Sequence, residues 1–216
     1  MLCMLRIVPV LVVLASAAPA YAGLDCEADS AMKDVEAFAK DAAKAEQAER
    51  SYAWLCVEFG AEQLKPRIEK ACLKILDRDG DKGECVIAAA AAGITKLGKH
   101  DIFALIGKLG EDPIESGGGI GYGKAELYQR MNDPRGITAL IDMWTAAIPR
   151  ADAREKAHRR SMADWSSWRQ HAAAALGAFG DATAKTFLEE QSKATKDTHV
   201  RDACLDAAAA IAKRIK

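Results

Sequence analysis

After residue 30 the apolar residues of this chain recur with a helical period and nowhere alternate. Leu64, Ile68, Cys72 and Ile75 form one stripe; Ile102, Leu105, Ile106 and Leu109 form a second. Ile137, Leu140, Ile141 and Trp144 form a third, and Val200, Cys204, Ala207, Ala208, Ile211 and Ile215 close the series. Spacing of i, i+3, i+4, i+7 puts the apolar side chains on one face of a helix, whereas a half-buried strand needs period two. Alanine, the strongest helix former, is abundant throughout. The pattern predicts an all-α chain.

The helices are predicted to come in pairs with a self-similar join. One ends at Leu97-Gly98-Lys99-His100, another at Met131-Asn132-Asp133-Pro134, a third at Phe179-Gly180-Asp181-Ala182. At each, a Gly or Asn is placed to supply a left-handed C-cap. The first two joins are 34 residues apart and the next step is 48, so 14 residues read as inserted. Two helices per period of this length predict an α-solenoid. The expected helices are 30–58, 64–76, 84–97, 100–110, 121–131, 134–147, 165–179, 182–191 and 199–215: about four hairpins and a terminal helix.

Residues Trp168 to Asp181 resemble the first helix and turn of a HEAT-like repeat of the short bacterial, PBS-lyase type. Asn132 to Ile141 resemble the turn and second helix of another, and His199 to Ala203 the start of a third. The resemblance is clearest over 121–216. It implies stacked helical hairpins, with a turn aspartate and the next repeat's arginine joining neighbours, which nominates Asp181 and Arg201. Some proteins of this kind are linked to covalent attachment of tetrapyrroles, so a lyase-type enzyme is one reading it leaves open.

The N-terminus gives an expectation about compartment. Arg6, the apolar run Ile7–Ala15 and Ala20-Tyr21-Ala22 read as a secretory signal over residues 1–22, cleaved after Ala22. The run is too short for a membrane anchor, and Asp25 before Cys26 does not suit a lipoprotein. The expected mature domain, 23–216, is periplasmic or secreted, with no membrane span. Its charge is uneven: residues 23–149 carry 16 Lys+Arg against 22 Asp+Glu, a net of −6, and residues 150–216 carry 13 against 9, a net of +4. That is no footprint for nucleic acid.

Several motifs fail on their chemistry. Gly118 to Ala125 approaches a phosphate loop, but Ala125 lacks the magnesium-binding hydroxyl and the segment before it is helical. Asp77, Asp79 and Asp81 alternate as in a calcium loop, but Lys82 and Ala88 stand where glycine and glutamate are required. These aspartates are a weak metal candidate beside the plainer reading of a solvated turn. His100, His158, His171 and His199 lack metal-ligand spacing. Ser166 and Ser167 precede His171 without a third orienting group. Neither a catalytic residue nor a cofactor is expected.

The inserted segment 148–164 and its sequel concentrate Arg154, Arg159, Arg160 and Arg169 with Trp165 and Trp168. Arginine and tryptophan dominate binding hot spots, so Arg154, Arg159, Arg160, Trp165 and Arg169 are the candidate partner-binding residues. The competing reading makes Trp168 core and the arginines a solvated face. An exported chain permits disulfides. Cys72 and Cys85 straddle the 77–83 turn symmetrically and are the first expected pair, Cys26 with Cys56 the second, and Cys204 the free thiol. The function expected is a scaffold for a protein or peptide partner, with no catalysis. An enzyme on the same scaffold, lyase or hydrolase, and a structural subunit of an envelope assembly are the alternatives.

Overall fold

A computed structural model describes residues 27–41, 47–80, 83–110, 123–156 and 162–215. The expected signal sequence lies outside them. Among the described residues the chain forms ten helices: α1 (Ala28–Lys40), α2 (Gln47–Phe59), α3 (Ala61–Asp79), α4 (Gly83–Ala91), α5 (Ile102–Lys108), α6 (Lys124–Met131), α7 (Arg135–Lys156), α8 (Met162–Phe179), α9 (Ala182–Ala194) and α10 (Thr198–Arg214). No described helix is long and apolar enough to cross a membrane.

The expected stripes are the buried faces apart from a few members, since Leu109 is only partly buried and Ile215 is exposed. Leu64, Ile68, Cys72 and Ile75 are buried on α3, Ile102, Leu105 and Ile106 on α5, and Val200, Cys204, Ala207, Ala208 and Ile211 on α10. Each helix packs against its neighbour in sequence, and several also pack against the next but one: α1 on α3, α2 on α4, α4 on α6, α6 on α8, α8 on α10. Next-but-one helices run parallel where their contacts can be ordered. Arg67 reaches Glu36, and one helix end further on Arg78 reaches the carbonyls of Phe38 and Ala39. Likewise Ser166 meets Asp197, Gly177 lies against Ala207, and Arg214 reaches Gly180. Alanine makes the approach possible: Ala88 to Ala92 of α4 and its end, Ala172, Ala173 and Ala175 of α8, and Ala207 and Ala208 of α10 are all buried. At Gly177 even a methyl group is excluded, since a Cβ would come within 2.9 Å of the Ala207 backbone.

Hydrogen bonds repeat the same step. Arginines late in one helix donate to the free carbonyls at the C-terminal end of the helix two before it. Arg78 does so for α1, Arg130 for Ala91 of α4, and Arg214 for Gly177, Ala178 and Gly180 of α8. The last carbonyls of a helix lack internal partners, and a cation there also suits the helix dipole. Asp101, Asp181 and Asp197 cap the starts of α5, α9 and α10 through backbone amides two or three residues on.

Four expectations need correction. The span 30–58 is two helices, because Asp41 takes an extended conformation and α2 folds back on α1; burial of Met32, Val35 and Phe38 outweighs the helix propensity of the alanines. The helix expected to reach residue 97 stops at Ala91, where Gly93 at φ +70° lets Gly93 and Ile94 donate to Ala90 and Ala89 at 2.9 Å. The following join is a small antiparallel ladder, β1 (Lys96–Leu97) on β2 (His100–Asp101), with Gly98 in its turn. Asn132 is left-handed as expected, at φ 49°, but Gly180 is not; it is a site of close approach to Ala184 and Ile211. Finally, Asp181 and Arg201 do not join repeats. Arg201 donates to the Thr195 carbonyl, and an aspartate–arginine link occurs two joins earlier, where Arg135 binds Asp101 at 2.7 Å.

Two outcomes test this packing. Leu176 of α8 is fully buried, so Leu176→Ala should cost about 2–5 kcal/mol in urea titration; a loss under about 0.5 kcal/mol would place the residue at the surface. Glu58 on α2 is 6% exposed, its Oε2 has no hydrogen-bond partner, and burial, helped by Glu84, pushes its carboxyl up to about 8. A carboxyl raised above its unfolded value favours folding fully below about pH 4.5 and loses that contribution as pH rises through about 8. Chemical denaturation should therefore show stability falling across that window, and Glu58→Gln should flatten the fall by more than about 1 kcal/mol.

Candidate functional site

The tryptophans of the expected partner surface are interior. Trp165 is 2% exposed and stacks on Trp168 at 5.6 Å, and both meet the edge of Trp144 at 6.2 and 6.1 Å; Phe187 completes the cluster at 5.5 Å. The long α7 carries Trp144 to this point, and the aromatic volume fills the space between α7, α8 and α9. Arg169 lies over Trp165 at 4.9 Å, donates to Thr195 Oγ1 at 3.3 Å and sits 3.7 Å from Asp197. It ties α8 to the start of α10 and is mostly covered. Trp165 and Arg169 thus hold the stack together and do not form a free surface. Arg154 lies in α7, where side chains beyond residue 150 are outside the description, and Arg159 and Arg160 fall outside the described residues.

The aspartates of the calcium-like turn are committed elsewhere. α3 runs through Asp79, so Asp77 and Asp79 sit on helix, not loop. Asp77 lies 2.9 Å from His100 and 3.6 Å from Lys99, and the hydrogen bond to His100 holds its carboxyl below the usual range. Asp79 is bound by Arg78 at 2.7 Å. Asp81 falls outside the described residues, among which no cluster of metal-ligating side chains occurs.

The first expected disulfide is not formed. Cys72 and Cys85 are both buried free thiols, and the Cys72 thiol donates to the Cys85 carbonyl at 3.4 Å. Equal distance from the turn brings α3 and α4 together there but aims Cys72 at the backbone of its neighbour. Cys56 is not among the free thiols, and its expected partner Cys26 lies outside the described residues. Cys204 is a buried free thiol whose pKa burial pushes up to about 11, which suits packing and not nucleophilic attack.

What the structure adds is a groove between α1 and α3, of about 200 Å³, over a floor formed by Ala39 and Ala71. Lys40 forms one wall, and Lys70 and Lys74 the other. Glu36 and Arg67 close one end through a bidentate pair at 2.7 and 2.9 Å, and the remaining guanidinium nitrogen binds Asp29. That pair, with the charges of Lys40 and Lys70, holds the Glu36 carboxyl below its ordinary range. Residues 67, 70, 71 and 74 follow the helical i, i+3, i+4, i+7 step, and 36, 39 and 40 face them from α1. The signal was present in the sequence as a basic row beside the apolar stripe of α3, but it needs α1 opposite to become a groove.

Compared with protein-family models, with curated proteins and with solved structures, the chain matches none.

The groove's electrostatics can be checked directly. Arg67→Gln should return the Glu36 carboxyl towards its ordinary value near 4.5, read as a carboxyl titration by carbon-13 NMR. A Glu36 that stays depressed would show the lysines, not Arg67, to be its main counter-charge.

Proposed function

We propose that this chain is an exported α-solenoid of HEAT-like hairpins that holds a protein or peptide partner and performs no reaction. The observation that carries the solenoid reading is the recurrence of one contact pattern along the chain. Elements two places apart are joined by side-chain bonds between residues 31 to 39 apart: Arg67 to Glu36, Arg130 to Ala91, Arg135 to Asp101, Ser166 to Asp197, Arg214 to Gly180. His171 meets Glu126 at 3.0 Å across α8 and α6 with a longer separation, as an insertion in α7 would require. A chain whose elements touch mainly their neighbours extends by repetition and leaves long faces open to another molecule.

The groove between α1 and α3 supports the binding part of the reading, since it is open, charged and unfilled by the side chains of the described residues. Purified full-length protein incubated with an envelope extract and recovered under dilution should bring down one polypeptide in stoichiometric amount. Turnover of a small molecule by the pure protein would instead establish an enzyme on this scaffold.

A further inference from the structure

We infer that the groove between α1 and α3 receives an acidic segment of the partner polypeptide, its carboxylates held by Lys40, Lys70 and Lys74; this rests on the scaffold reading above. Four cations and one carboxylate line the groove. Arg67 and Glu36 satisfy each other, and Asp29 takes what remains of the guanidinium. The three ammonium groups have no such acceptor among the described residues. All three line the one groove and remain exposed to solvent.

The free protein carries this arrangement at a cost. Arg67, Lys70, Lys74 and Arg78 form a row of like charges at three- and four-residue steps on α3, and like charges one turn apart repel. The chain has acidic residues in excess over this half, yet apart from Glu36 none lines the channel. A ligand carrying carboxylates relieves the repulsion and finds a local positive field on an otherwise acidic body, which orients it on approach.

The shape favours a peptide over a small oxyanion. Phosphate is usually gripped by a guanidinium fork or by the amides at a helix N-terminus. Here the fork of Arg67 is taken by Glu36, and the helix end nearest Lys40 is the C-terminal end of α1, whose last carbonyls already receive Arg78. Lysines are point charges on flexible stems. Spread along a shallow channel with a methyl floor, they suit separate carboxylates spaced along a chain.

The test uses the full chain and a fluorescein-labelled peptide of alternating glutamate and glycine, read by fluorescence anisotropy. Saturable binding is expected, weakening as salt is raised, with no binding of the matching lysine–glycine peptide. The triple variant Lys40→Gln, Lys70→Gln, Lys74→Gln should lose about tenfold in affinity or more, as the sum of three exposed ion pairs. Its helical circular dichroism should be unchanged and its melting temperature no lower, because repulsion has been removed. Undiminished binding by the triple variant overturns the assignment, and so does displacement of the peptide by millimolar inorganic phosphate. If the envelope partner is still captured by the triple variant, the scaffold reading stands and the groove assignment falls. Loss of capture on reversing Arg159 and Arg160 alone would move the site to that basic segment. Failure of wild type to capture any partner, with the acidic peptide bound, removes the scaffold reading and leaves the groove as an acidic-peptide site.

Discussion

Everything else in this molecule depends on how closely α4, α8 and α10 approach the helices two places away. Alanine and glycine set that distance. Many of the side chains at these contacts are methyl groups or nothing, as at Gly177 against Ala207. Each such residue buries little apolar area, so stability comes from many small contacts at interior density and not from a few large ones. The close spacing also brings the ends of parallel helices within reach of one long side chain, which is why Arg78, Arg130 and Arg214 can satisfy carbonyls of another helix. The large side chains gather where the regular step is interrupted: the lengthened α7 opens a space, and Trp144, Trp165, Trp168 and Phe187 fill it.

Much of the fold was legible because helical periodicity is local information. The stripes on α3, α5 and α10 could be read residue by residue, and so could the left-handed cap at Asn132. What failed was set by contacts at a distance. The break at Asp41 follows from α2 folding back on α1, which no propensity of residues 42 and 43 reveals. Trp165 and Trp168 sit three residues apart beside arginines, a pattern equally suited to an interface and to a core; only the arrival of Trp144 from another helix decides it. The same holds for Cys72 and Cys85, whose symmetric placement about a turn says nothing of where each thiol points.

The groove shows the same limit from the functional side. Lys70 and Lys74 look like an ordinary solvated face until Lys40 stands opposite. Arg67 looks like a fourth free charge until Glu36 and Asp29 are seen to occupy it. The sequence-derived candidates drew attention to the densest basic segment, whereas the structure distinguishes charges that are spent from charges that are not. Arg169 belongs to the first kind, whereas Lys40, Lys70 and Lys74 have no acceptor among the described residues.

Most of the side-chain bonds between next-but-one helices join residues 31 to 40 apart, and the His171–Glu126 pair only a little further. Ring closures of that size lose little entropy, and the loss grows slowly with length. Such a chain is expected to fold fast, with no distant segment awaited before the first helices dock. The same locality governs how it comes apart. Drawn out from its two ends, a molecule tied together in short steps yields pair by pair, so a partner held across several helices would act as a splint along the very direction in which the structure is weakest.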